Sequence, residues 1–420
     1  MWLTVLGLLL AFVAVRYFRG RLLGDLEMLA LGATIYIALP FVAFEQEWLL
    51  EMPGIEGWRD LFQAASNTRV QLAALTAGLA AAYLLGRRGA QATLAKLGTS
   101  MNRPLSKPVP AAIAIVLWSI WFASALANRD SFFQGYSIDY DTGLLGNLAT
   151  VNLVALATVL ACRQHSQAGT AYRMLGLLLL INSIALLSLG GRLYVLIPAI
   201  ALMLQSLASA RSTLTRVRGF VVFVIVIALL LVVGAVRIEA DLSNRFLAYI
   251  GLAEGLFTSM SLGSFIQHNG IPPLSTPANF FGSIVNFIPS ALLADKANLV
   301  PTIQESGRFF ESPLGATHLL VAILGNFGWL GGLGFAGALG WLFGSVRKVA
   351  PHGWWLYFYL CSLLPFMFFR DGFSIFNKAA LFNGCIVMWC VFAVDRTLLR
   401  EHAPRRRRLR NAVADAAART

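Results

Sequence analysis

Charge is scarce in this sequence. Of its 420 residues only 13% are Asp, Glu, Lys or Arg, about half the share of an ordinary soluble domain, while 58% are hydrophobic and the mean hydropathy is +0.70. A surface that water wets cannot be assembled from this composition, which excludes a soluble enzyme. Long polar intervals are also missing: apolar runs recur from the first residues to Val394, so the chain reads as one membrane domain. Cysteine is rare. Cys162, Cys361, Cys385 and Cys390 lie in or at the ends of apolar segments without the pairing of a zinc site or a secreted disulfide framework. No two histidines have metal-ligand spacing, and neither a metal nor a cofactor is expected. The opening run MWLTVLGLLLAFVAVRYFRGR has its basic residues after the apolar stretch and no Ala-x-Ala pattern, so an anchor is expected there rather than a removed signal peptide.

What is present is a series of apolar segments of helix-spanning length. They fall near residues 2–15, 28–44, 70–85, 110–127, 144–162, 174–190, 193–208, 219–236, 317–346, 353–369 and 377–394. The expectation is an all-α polytopic bundle of about eleven spans, with 317–346 long enough to tilt, kink or break. The four sections are N-terminal spans at 1–236, a loop at 237–316, C-terminal spans at 317–395 and a basic tail at 396–420. The net charge of +13 does not point to nucleic acid, because most Lys and Arg sit in short loops. Arg16, Arg87, Arg88, Arg163, Arg173, Arg211, Arg216, Arg347, Lys348 and the run from Arg405 to Arg408 all fall on one side, which marks it as cytoplasmic and gives the tail an anionic lipid surface to rest on. The loop of about eighty residues then faces outward; it is rich in Phe, Leu and Ile, so it is expected to be structured, as interfacial or re-entrant helices over a cavity.

Cations on the outer side run against topogenic bias and so carry information. Arg192 follows Gly190 and Gly191 in a turn too short to leave the interface, Arg237 ends a span, Arg245, Lys296 and Arg308 lie in the loop, and Arg370 ends another span. Several cations on one face suit an anionic ligand, and the guanidinium fork suits phosphate oxygens. The alternative is that each snorkels to headgroups or pairs locally, Arg370 with Asp371 and Arg192 with a backbone carbonyl. His318, at the outer end of a span, is a candidate base or phosphate donor, or else a hydrogen-bonded helix end. Glu305, Glu311 and Glu239 are the loop carboxylates available as bases. Gly332, Ala336, Gly340 and Gly344 recur every four residues, a helix-packing pattern. Asp139-Tyr140-Asp141 has the form of a metal-binding Asp-x-Asp, a weak signal in a Tyr-containing turn.

The Gly-Gly-Arg turn, the loop segment NFIPSALLADKANLVP and the helix opening THLLVAILGNFGWLGGLGFAGALG together resemble the Wzy-type polymerases of O-antigen repeat units, in motif from Leu186 to about Gly344 and in topology throughout. The resemblance implies a metal-independent glycosyltransferase of the bacterial inner membrane, working at the periplasmic face. It would move a growing glycan from undecaprenyl pyrophosphate onto a lipid-linked repeat unit. Its partners would be that lipid-linked oligosaccharide, membrane lipids and a chain-length regulator protein. Arg192 matches the Gly-Gly-Arg position, Lys296 the Ile-Pro segment and His318 the residue before the glycine-rich span; Asn326 stands where many members carry an acid. An O-antigen ligase acting on lipid A core, and a polysaccharide transporter or flippase, are the alternatives.

Overall fold

The computed structural model describes residues 1–19, 23–48, 59–90, 104–132, 142–164, 169–209, 213–237, 244–288, 293, 295–312, 317–349 and 355–397. Glu239, the Asp139-Tyr140-Asp141 triplet and the arginine-rich tail lie outside them. Each apolar segment forms a helix. Among the described residues eight helices are long and apolar enough to cross a membrane: Asp25–Glu45, Arg69–Gly89, Pro108–Ala127, Leu144–Arg163, Thr170–Ser188, Arg216–Val233, Leu319–Lys348 and Gly372–Thr397. Three more, Trp2–Phe18, Arg192–Ala208 and Trp355–Phe368, are apolar but shorter. No strand occurs among the described residues. This is a multi-pass, all-helical membrane protein, and the large side chains left exposed, such as Leu126, Val222 and Leu180, lie on its spans as lipid-facing residues do.

Small residues set the tightest contact. The Leu319–Val349 helix runs parallel to Arg69–Gly89, and a Cβ added at Gly86 would fall 1.9 Å from the Gly337 carbonyl, one at Gly340 2.0 Å from that of Tyr83. The four-residue repeat is therefore a packing seam, as its spacing indicates. The long helix is also broken. At Gly328 the backbone turns to φ 68° and ψ −177°, and the turn at Pro272 and Pro273 fills the gap, its carbonyls accepting from Trp329 N–H at 2.9 Å and Leu330 N–H at 3.1 Å.

Buried polar groups tie the remaining spans together. Asn182 donates to the Leu148 carbonyl at 2.8 Å and Gln205 to that of Leu160 at 2.9 Å. At one end of the bundle Asp25 accepts from the Tyr83 and Tyr357 hydroxyls, both at 2.6 Å, and from Arg87 at 3.1 Å, while Glu27 pairs with Arg16. Arg163 and Ser206 also meet, at 2.9 Å. Two of the pairings, Arg87 with Asp25 and Arg16 with Glu27, anchor arginines that the sequence assigns to a single face.

The segment 237–316 is less a loop than expected. Its largest part is the helix Asn244–Asn269, whose residues from Gly255 to Ile266 are buried in the bundle apart from Phe257. Gly255 sits against the Ile35 carbonyl and Gly263 against that of Leu61, each too close for a Cβ. Its buried hydroxyls bond within the protein: Thr258 to Gly255 O and Ser261 to Thr258 O. This helix belongs to the core because its glycines admit neighbouring backbone and its hydroxyls need no water.

Candidate functional site

Two prolines and two glycines prepare one region. Gly190, at φ 85°, ends the Thr170–Ser188 helix in a Schellman arrangement: its N–H goes to Leu187 O at 3.0 Å and that of Gly191 to Leu186 O at 2.7 Å. Arg192 is therefore the first residue of the next helix. Gly372, at φ 68°, likewise turns the chain after Arg370 and Asp371, and the Arg370 carbonyl accepts from Thr317 N–H at 2.9 Å, which brings that turn beside His318. Proline has no N–H for the carbonyl four residues earlier. Pro40 thus cannot donate to the Tyr36 carbonyl, from which His318 Nε2 lies 3.1 Å and to which Ser259 Oγ donates at 3.5 Å; Pro198 cannot donate to that of Tyr194, which accepts from Asn152 Nδ2 at 2.6 Å.

Four charged groups meet there. Glu254, in the middle of the Asn244–Asn269 helix, directs Oε1 at Arg192 Nη2, 3.7 Å away, and Oε2 at Arg370 Nε in a close ion pair. Arg370 Nη1 also donates to Asp371 Oδ1 at 2.7 Å. Burial pushes the Asp371 carboxyl up, against the pull of Arg370. Burial likewise opposes charge on Arg370, but Glu254 and Asp371 outweigh it and hold the guanidinium protonated. The side chains of Arg192, Arg370 and Glu254 remain 26–30% exposed, so the cluster is reachable. The Tyr36 phenol lies within electrostatic reach of all four groups, and that of Tyr194 within reach of Arg370 and Asp371. Tyr36 is eleven residues from one end of the Asp25–Glu45 span and nine from the other, so its carbonyl bond to His318 and its charged neighbours lie beside the middle part of that helix.

Of the cations singled out in the sequence, Arg192 and Arg370 come together, and Arg370 does pair with Asp371. Arg308 lies apart and donates to Leu274 O at 3.4 Å. Arg237 and Arg245 belong to the helices Thr213–Arg237 and Asn244–Asn269, and Lys296 opens the short helix Lys296–Leu299. Glu305 is exposed and caps a turn with Thr302, whose N–H it accepts at 2.6 Å; that bonding holds its carboxyl below the ordinary carboxylate value. Glu311 has an exposed side chain, and its N–H donates to Ser264 Oγ at 2.8 Å.

His318 is fully buried, with both ring nitrogens engaged. Leu320 N–H donates to Nδ1 at 3.1 Å, so Nε2 carries the hydrogen and donates it to Tyr36 O. Of the two roles open in the sequence, this geometry is that of the hydrogen-bonded helix end, and it locks Tyr36 beside the charges. Asn326 is buried too; its Oδ1 accepts Phe280 N–H at 2.8 Å, which fastens the short helix Ala278–Gly282 to the broken helix. Glu254, Tyr36 and Tyr194 were not legible as site residues, although Tyr36 and Tyr194 share the pattern Tyr-x-x-x-Pro. Comparison of the chain with protein-family models, with characterised proteins and with solved structures finds no match.

Proposed function

We propose that the protein is a membrane-embedded glycosyltransferase acting on polyprenyl-pyrophosphate-linked oligosaccharide, with Arg192 and Arg370 as the pyrophosphate ligands. The observation that carries this reading is that two arginines distant in sequence converge on one partly exposed carboxylate, Glu254. Guanidinium groups that share a carboxylate are spaced to share a phosphate, and a pyrophosphate leaving group needs its charge stabilised more than it needs an acid. The resemblance to the Wzy-type polymerases supplies the rest of the reading: polymerisation of surface-polysaccharide repeat units at the periplasmic face of the bacterial inner membrane. Tyr36, its carbonyl held by the His318 bond, is the neutral donor beside the leaving group.

A transporter of the same lipid-linked glycan is the second reading, favoured by the depth of the charged cluster in the bundle. Purified protein in nanodiscs, given undecaprenyl-pyrophosphate-linked repeat units, separates the two. A polymerase makes a ladder of lengthened glycans and releases undecaprenyl pyrophosphate; a transporter forms no new glycosidic bond; a ligase forms product only when lipid A core is added. Absence of any elongated product under conditions where the protein binds the donor counts against the polymerase reading.

A further inference from the structure

Resting on that reading of the site, we propose that Glu254 and the donor's pyrophosphate compete for the same two guanidinium groups, so that donor binding releases the Glu254 carboxylate to take the proton of the attacking hydroxyl. Glu254 is placed as an anion seat's occupant would be, one oxygen to each arginine. Its backbone has no freedom to withdraw, since Gly255 is wedged against the Ile35 carbonyl, where even a Cβ would approach within 2.5 Å. The exchange is therefore made by side chains alone.

Asp371 makes the exchange feasible. It stays bonded to Arg370 Nη1 at 2.7 Å, so Arg370 keeps its orientation when Nε turns from carboxylate to phosphate. A carboxylate whose two oxygens face the two guanidinium groups is turned away from an incoming hydroxyl; one displaced by phosphate is free to rotate toward it. In the step that follows, the acceptor hydroxyl oxygen bonds to the anomeric carbon. The bond from that carbon to the pyrophosphate oxygen breaks, its electron pair leaving on the pyrophosphate between Arg192 and Arg370, and the hydroxyl proton passes to Glu254. The base is thus armed only when the donor is seated, which orders the reaction without a moving lid.

The decisive variant is Glu254→Gln, because competition predicts tighter donor binding, whereas a Glu254 that merely orients the two arginines predicts weaker binding. Competition predicts that it binds undecaprenyl pyrophosphate about tenfold more tightly than wild type, the size of a typical coupling between linked sites. Turnover should meanwhile fall by roughly 10²–10⁴, as for loss of a general base. Equal or weaker binding by a folded Glu254→Gln protein overturns the proposal. A second measurement uses the wild-type chain alone: modification of Glu254 by an apolar carbodiimide, read by mass spectrometry, should rise when undecaprenyl pyrophosphate is added, and an unchanged or lower yield overturns the proposal as well. Wild-type protein that binds no undecaprenyl pyrophosphate at all instead removes the functional reading, and this inference with it.

Discussion

His318 lies with Nε2 3.1 Å from the carbonyl of Tyr36, in a different span and 282 positions away in sequence. Pro40 has left that carbonyl without the N–H that would ordinarily bond it, so imidazole and proline are two halves of one device. His318→Ala strips the acceptor from Leu320 N–H and leaves Tyr36 O with only the longer bond from Ser259 Oγ, at 3.5 Å, among the described residues. It should destabilise the protein by about 1–3 kcal/mol, the cost of stranding buried polar groups, seen as a lower Tm in detergent together with reduced turnover. A variant with reduced turnover and wild-type Tm would return His318 to the role of base.

The pH dependence follows from the same burial. Burial pushes the His318 imidazole down to about 4, only partly offset by the Tyr36 carbonyl, from an ordinary value of 6.5. Between those values the unfolded chain binds the proton more readily than the folded one. The contribution of His318 to stability is therefore complete above pH 6.5 and is lost progressively as pH falls toward 4. Melting curves at pH 7.5, 5.5 and 4.5 should show that decline, and His318→Gln should flatten it. Turnover should show no acid limb near 6.5 belonging to this residue.

Much of the fold was legible because its causes are local. Apolar runs of sufficient length give helices, and the four-residue recurrence of Gly332, Ala336, Gly340 and Gly344 gives the seam. The helix Asn244–Asn269 was harder: Glu254 and four buried Ser or Thr residues, Thr258, Ser259, Ser261 and Ser264, make it read as surface, and their satisfaction by the helix's own carbonyls and by Tyr36, Glu311 and His318 is a tertiary fact. For the site, Arg192 and Arg370 stood out because the run of basic loops puts them on the side opposite to most Lys and Arg. Glu254 obeys every local rule and is marked only by the two arginines that reach it. His318 stood out by position, whereas its role is set by Leu320 and Tyr36.

The seam between Arg69–Gly89 and Leu319–Val349 gives a contrast between a glycine at the contact and one away from it. Gly86→Ala places a methyl group 1.9 Å from the Gly337 carbonyl, which only separation of the two backbones relieves. Overpacking of this kind costs about 1–3 kcal/mol or more. Gly334→Ala, with nothing within 4 Å of its Cβ, should leave Tm unchanged or slightly raised. Detergent melts of the two variants side by side check this, and equal Tm values would mean that the helices are not in van der Waals contact at Gly86.

The two arginines should respond unequally to lysine. Arg370 makes two directed contacts with different atoms, Nε toward Glu254 and Nη1 to Asp371 at 2.7 Å. A lysine has one nitrogen on a flexible stem and cannot hold both carboxylates at their present places, so Arg370→Lys leaves buried Asp371 or Glu254 without its partner. Among the described residues Arg192 makes one, longer pairing with Glu254, at 3.7 Å, and a lysine ammonium reproduces that as a point charge. Arg370→Lys should therefore lower turnover by roughly 10²–10³, the cost of losing one fixed donor to a developing anion, and reduce Tm as well. Arg192→Lys should weaken donor binding several-fold, by about 1 kcal/mol, with Tm preserved. Double substitution should be less than multiplicative, because the two side chains share Glu254 and removing either already alters it. Turnover and donor affinity of the two single variants and the double variant, measured on equal amounts of folded protein, check the order. Equal losses at both positions would mean that the fork of Arg370 has no role beyond its charge, and unaltered activity at both would take the arginines out of the site.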